Sequence, residues 1–406
     1  MSTRQRIVRV RREYNQWVAN QTLEDYALRF TAKAARRWSS ARVATTALGG
    51  ISFLALEAIG GTVTIAYGFT NAVVAILAVS VMIFASCIPI SYYAARDGVD
   101  IDLLTRGAGF GYIGSTVTSL IYAAFTFIFF AIEAVILASA LDDCFGVPLV
   151  WGYLICSVAI VPLVTHGITF ISRIQLWSQP VWVGLQLLPF VAIFVGSTGA
   201  FGQWRATVGT VQGADGSFNL LLCGAAASVV FALIAQIGEQ VDYLRFLPVR
   251  QAQGTDLRWW AAMLAGGPGW IVIGVLKLLA GSFLASLAVG QGIAPSLAAH
   301  PAEMYRTAFG FVTQSPGGAL ALSGAFIVLS QVKINITNAY AGSIAWSNFF
   351  SRLTHSHPGR VVWLVFNIGI ALLLMELGIY QAIERTLVCI PSSPPPGSAR
   401  WWPIWW

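Results

Sequence analysis

Nine apolar runs, each close to the length a helix needs to cross a bilayer, take up most of this 406-residue chain. They lie near residues 44–68, 70–94, 112–140, 149–166, 180–199, 218–238, 259–287, 317–348 and 361–383. Crossing the hydrocarbon core takes about 20 mostly apolar residues in a helix. Only helices and closed barrels satisfy their own backbone hydrogen bonds there. The runs lack the apolar–polar alternation of an outer-membrane strand, which excludes a β-barrel. The chain therefore reads as an all-α polytopic membrane protein. Composition agrees, with 10% charged residues against about 25% in soluble domains.

The net charge of +7 would ordinarily raise nucleic acid as a partner, but its placement reports topology instead. Ten Lys/Arg fall in residues 1–42, and Arg96, Arg106, Arg173, Arg245, Arg250, Arg258, Arg352 and Arg360 follow the even-numbered runs. The opposite loops carry only Arg205 and Arg306. By the positive-inside rule, a multi-pass protein of the cell membrane with a cytoplasmic N-terminus is expected, with the bilayer and no nucleic acid as its surroundings. Residues 1–43 read as a cytoplasmic basic arm. Within it Leu23, Tyr26, Ala27, Phe30, Ala34 and Trp38 recur at helical spacing among basic residues. An amphipathic interfacial helix is expected over 22–38, a short solvated helix being the alternative.

Five scattered cysteines form no paired motif, so neither disulfides nor a zinc site is expected. No nucleophile–base set is present, and the Gly-rich GAGFGYIG follows a basic loop, not a strand. No enzyme, cofactor or metal is expected.

Polar residues inside the runs carry the functional argument. Lys333, with Asn335 and Asn338, interrupts the eighth run. An ammonium at bilayer depth costs several kcal/mol unless it faces protein or water, so this stretch reads as the lining of a cavity. Glu133 in FFAIEAVILA needs the same justification. In the first run Glu57 lies between the pairs Gly49-Gly50 and Gly60-Gly61; in the sixth, the text turns polar from Gln236 to Arg245. Glycine pairs weaken helices, and irregular backbone at membrane depth survives only where it lines a cavity. The first and sixth runs would thus open two halves, 44–199 and an incomplete 218–387, of a five-plus-five inverted repeat whose interrupted helices meet at a midplane site. Glycine-mediated close packing explains the same residues. Lys277 reads as a snorkelling lysine.

The third run, GSTVTSLIYAAFTFIFFAIEAVILASAL, resembles the third helix of the nucleobase:cation symporter family of cytosine, purine, allantoin and hydantoin permeases. That family reads G-S-x-x-x-S, then an aromatic pair, then an amide. Here Gly114, Ser115 and Ser119 match, Phe129-Phe130 stand for the aromatic pair and Glu133 for the amide. The run Glu239-x-x-Asp242-x-x-Arg245-Phe246 is similar to the family's N-x-x-D-x-x-R-[FY]. ISRIQLWSQP resembles its cytoplasmic connection between helices four and five, and the segment around Asn335 its eighth helix. The resemblance covers about residues 15–385. It implies a leucine-transporter-like fold and a permease moving a nucleobase or related ureide by alternating access; a transporter-like sensor is the other functional class.

On the same resemblance Phe129 is a stacking face, worth ~1–3 kcal/mol, with ordinary core packing as the alternative. Glu133 would accept from ring N–H groups, Asn335 and Asn338 would offer a mixed donor–acceptor edge, and Phe231 and Leu233 would complete the lining. Sodium-coupled members present hydroxyls on the eighth helix, where this chain has Gln331, Val332, Lys333 and Ile334. Lys333 is therefore expected to stand in for the coupling cation, paired with Glu57 or carbonyls of the first helix. Transport coupled to protons through Lys333 or Glu133, or else ion-independent, follows, with Na+ disfavoured by repulsion. A lysine merely reaching a watery vestibule is the alternative. Asp242 and Arg245 are expected to form a structural pair or gate. The tail over 388–406, VCIPSSPPPGSARWWPIWW, has no helical period where the family continues into a tenth helix. A frameshifted or truncated end, and with it an inactive remnant, is one expectation; an interfacial tryptophan anchor is the other.

Overall fold

In the computed structural model the described residues are 24–25, 28–250, 256–355 and 358–378. The start of the arm and the tail from 388 lie outside them. The helices are α1 (Ser40–Gly49), α2 (Ala55–Asp97), α3 (Ile101–Thr105), α4 (Gly111–Phe145), α5 (Leu149–Thr165), α6 (Gly167–Gly196), α7 (Ala200–Arg205) and α8 (Leu220–Phe231). They continue with α9 (Ile237–Leu244), α10 (Leu257–Gly266), α11 (Trp270–Gly290), α12 (Pro295–Ala298), α13 (Pro301–Phe309), α14 (Pro316–Leu353) and α15 (Arg360–Glu376). Every apolar run carries helix, and the described residues contain no strand beyond an isolated Phe30–Val99 bridge.

Helix α2 has 43 residues; at 1.5 Å each that is about 65 Å, twice the hydrocarbon core. Gly68 resolves the excess. Its φ of +81° is open to glycine, and it divides α2 into 55–67, the end of the first run, and 69–97, the second.

Both interruptions expected from the sequence are present. The first run stops as α1 passes into a 3-10 turn, Gly50–Ser52, and an extended Phe53 before α2 begins. The sixth passes from α8 through a 3-10 segment, Ala232–Gln236, into α9. The Gly60-Gly61 pair, however, lies in unbroken helix. A Cβ on Gly60 would overlap the Leu278 carbonyl, and one on Gly281 the Glu57 carbonyl. The pair lets α2 and α11 approach backbone to backbone, which is the packing role of small residues in membrane helices.

Two expectations are corrected. The described part of 22–38 is not an amphipathic helix: beyond a 3-10 turn at Lys33–Ala35 it runs across the helix ends of the basic face. Glu24 N–H donates to Thr165 O (3.1 Å), Thr31 N–H to Gly98 O (2.7 Å), Asp100 N–H to Arg29 O (2.9 Å) and Arg360 N–H to Asp25 O (3.0 Å). Arg36 donates to the carbonyls of Thr31, Ala95 and Arg96. Orphan groups at helix ends thus satisfy this backbone, and its arginines cap their carbonyls, so the segment needs no helix of its own. ISRIQLWSQP is also not a connection. It lies inside α6, and His166 alone joins α5 to Gly167, whose φ is +77°.

Candidate functional site

The centre lies where the two interruptions meet α4 and α14. Glu133 of α4 is fully buried, and its carboxylate accepts from Leu54 N–H and Ala55 N–H, both at 3.1 Å. Those are the first donors of α2, unpaired within the helix and at its positive end. Gln331 Nε2 of α14 adds a third bond of 2.6 Å. The expected ligand acceptor is thus taken up by the chain itself: Glu133 fastens the start of α2 to α14. Its partners lie 79, 78 and 198 positions away, beyond any local pattern.

Asn335 and Asn338 are as deeply buried, yet neither amide nitrogen nor amide oxygen of either has a partner in the protein; Gln331 Oε1 also has none. Residues 331, 335 and 338 are spaced to share one face of α14. At one end of that face Gln331 reaches Glu133; at the other Ala341 and Ala345 pack on Tyr122, Ala123 and Phe125 of α4. The two asparagines therefore lie level with Phe125 and Phe129. The Phe129 ring is half-buried, 4.3 Å from Phe125 and edge-on to Phe53 at 6.1 Å between centroids. Five buried, unpartnered polar atoms on one face depart from the general rule that such atoms are satisfied. Leu233 is buried in the cluster containing Phe53, with Phe129 packed against it. Phe231 is 40% exposed, which argues against a place in this centre.

Lys333 does not pair with Glu57 or with carbonyls of the first run. Two residues beyond Gln331, it points about 200° away around the helix, toward α6. There Nζ donates to Gln175 Oε1 (2.7 Å), Ser178 Oγ (2.9 Å) and Gln179 Oε1 (3.2 Å), while Gln175 Nε2 donates back to Lys333 O (2.9 Å). Gln175 in turn crowds Gly49, where an added Cβ would lie 2.6 Å from its Oε1. The i, i+3, i+4 spacing of Gln175, Ser178 and Gln179 was the available signal, hidden by reading the segment as a loop.

Glu57 is held instead by Lys277 Nζ (2.6 Å) and by Tyr305 Oη (2.9 Å), which accepts from Gln186 Nε2 (2.7 Å). Lys277 does not snorkel. It is 3% exposed, and its ammonium lies 5.2 Å from the centroid of the Trp182 ring. Asp242 and Arg245 are buried 3.2 Å apart; Tyr122 Oη donates to Asp242 Oδ2 (3.1 Å), and Arg245 to the Leu28 carbonyl and the Tyr340 hydroxyl. A cavity of about 770 Å³ lies between α4 and α14, lined by Cys144, Leu320, Val328 and Val332 among others. Its almost wholly apolar wall offers little to orient a ligand, so the unpartnered amides define the candidate site.

No protein-family model matches the sequence, and no curated protein matches it. Solved structures do. Mhp1, a nucleobase-cation-symport-1 family transporter, in a closed conformation with bromovinylhydantoin bound, superposes with a TM-score of 0.64 over 89% of this chain and 76% of that one, at 17% identity. The inward-facing conformation of Mhp1 gives 0.60 over 91% and 76%, at 16% identity. A Na+-coupled sialic acid symporter in a substrate-bound outward-open state gives 0.54 over 92% and 79%, at 16% identity. The chain shares their fold. The all-α, leucine-transporter-like architecture expected from the sequence is the one observed.

Proposed function

We propose that this protein is a secondary transporter of the cell membrane that moves a small, planar, uncharged heterocycle, a nucleobase or related ureide, by alternating access. The observation that carries the reading is the pair Asn335 and Asn338, whose four amide atoms are buried without partners at the level of the Phe129 ring. Donors and acceptors alternating along an amide-like ligand edge would satisfy them, and the ring would stack on the ligand face. The basic end, with Arg245, Arg352 and Arg360, faces the cytoplasm in this reading. The likeness in fold to Mhp1, solved with bromovinylhydantoin bound, supports it.

The test is binding of cytosine, uracil, guanine, adenine, allantoin and hydantoin to protein in lipid nanodiscs. Losing two hydrogen bonds of ~1 kcal/mol each predicts a drop of about tenfold or more in affinity for Asn335→Ala and for Asn338→Ala. Binding of one compound to wild type that neither substitution weakens would remove these residues from the site.

Lys333 stands in for a coupling cation in this reading. Its side-chain nitrogen lies between α14 and α6, beside the interrupted first run through Gln175, and as an ammonium it repels a free cation nearby. Uptake is expected to be unchanged when external Na+ is replaced by choline at constant pH; a steep rise with Na+ would refute the substitution.

A further inference from the structure

Glu57, Glu133 and Glu239 are wholly buried acids around the interrupted helices, and two are compensated in place. Glu57 has the Lys277 ammonium, and Glu133 has the N-terminus of α2. Glu239 has neither. Its hydrogen bonds come from neutral groups: the Thr337 hydroxyl, Gln236 Nε2 to Oε2 at 3.0 Å and Tyr243 Oη to Oε1 at 3.4 Å.

The charged groups of the surrounding elements are engaged elsewhere. On α9 itself Asp242 is held by Arg245 and Tyr122. On α14 Lys333 turns to α6 and Arg352 to Asp102 of α3. Asp100, ahead of α3, accepts from Asn348 and Leu103 N–H. Arg42 of α1 donates to Ser172, Glu57 of α2 is paired with Lys277, and Arg258 lies in the first turn of α10. An ionised carboxylate left without a counter-charge at bilayer depth is too costly to persist. It is stable as the neutral acid.

The position of Glu239 gives that proton a use. A Cβ on Gly50, in the interruption of the first run, would lie 2.9 Å from Glu239 Oε1 and 3.8 Å from Thr337 Oγ1 of α14. The Thr337 hydroxyl, which also reaches Ile334 O (2.7 Å), is a hydrogen-bond partner of Glu239, able to donate to the carboxylate or accept from the protonated acid. Glu239 follows directly on the 3-10 interruption of the sixth run. One carboxyl thus touches both broken helices, the elements expected to move in alternating access, and the helix that carries the candidate site.

We propose that Glu239 is the proton-binding group of the transport cycle. It is the neutral acid while the interrupted helices are closed on it. When they part and water enters, the acid O–H bond breaks and the proton passes to water. Gln236 and Tyr243 turn hydrogen-bond donors to the carboxyl, which suits a proton, needing one oxygen, better than a metal cation, which needs a shell of them. This rests on the transporter reading but places coupling on Glu239, not on Lys333.

Infrared difference spectra of nanodisc-embedded protein between about pH 9 and about pH 5 test the group without any substrate. A carboxylic C=O component is expected in wild type, retained in E133Q and missing from Glu239→Gln, with Glu239→Asp giving a shifted component. Because Asp100, Asp242 and Glu133 are also buried acids, the readout is the wild-type-minus-E239Q difference; spectra that are unchanged by E239Q overturn the proposal. In proteoliposomes, accumulation of labelled uracil or hydantoin driven by a pH gradient is expected to fall at least tenfold in E239Q while counterflow exchange persists. Undiminished accumulation would also overturn it. Wild-type protein that exchanges none of the six compounds would refute the transporter reading while leaving the spectroscopic result for Glu239 standing.

Discussion

Lys277→Met is expected to destabilise the protein by ~3–5 kcal/mol, the usual cost of removing one partner from a buried ion pair. The ammonium is 2.6 Å from Glu57 Oε1, and neither side chain is more than 3% exposed. Without it Glu57 keeps only the Tyr305 hydroxyl, whose own acceptor site is filled by Gln186. The loss spreads because four elements meet at this pair: α2 and α11 supply it, α13 supplies Tyr305 and α6 supplies Gln186. Neutralising both partners in Lys277→Met/Glu57→Gln should recover most of the stability, since no unpaired charge remains. Thermal unfolding of the four proteins in nanodiscs forms a double-mutant cycle. Additive effects would mean that the pair contributes nothing as a pair.

Glu133→Leu is expected to be at least as damaging. It leaves Leu54 N–H, Ala55 N–H and the Gln331 amide buried without their acceptor, at ~1–3 kcal/mol for each orphan. Glu133→Gln should fall between, because one amide oxygen can serve one of the two backbone donors while its NH2 faces the other. The readout that matters is stability in the absence of ligand. A ligand-contacting carboxylate would lose base affinity with an unchanged melting temperature; a carboxylate that fastens α2 lowers the melting temperature with no base present. An unshifted melting temperature in Glu133→Leu would restore Glu133 to the ligand site.

The two interrupted helices were legible because their causes are local: a glycine pair in one, a sudden polar run in the other. Gly60-Gly61 was misleading for the same reason. Its glycines carry no mark distinguishing a broken helix from a close crossing, and only α11 on the other side makes it a crossing. The arm over 22–38 shows helical periodicity, yet in its described part the helix ends of the basic face outcompete the helix for its backbone groups.

Partner choice was the least legible part of the site. Glu57, Glu133, Lys277 and Lys333 are all visible as charges needing a reason, but the expected Lys333–Glu57 pairing and the snorkelling of Lys277 are not what the structure shows. Which buried charge meets which depends on how each helix is rotated and how deep it sits, and contacts over 78 to 248 positions set both.

By itself, the sequence determined that this chain crosses a membrane as helices, that the first and sixth are interrupted, and that α14 carries polar chemistry at depth. Each follows from the cost of exposing backbone or charge to hydrocarbon, a cost set by a residue and its near neighbours. The tertiary structure alone decided that Glu133 closes on a helix start, that Lys277 neutralises Glu57, and that Asn335 and Asn338 remain unpartnered. Those outcomes depend on distances of about 3 Å between helices far apart in the chain, which only packing sets.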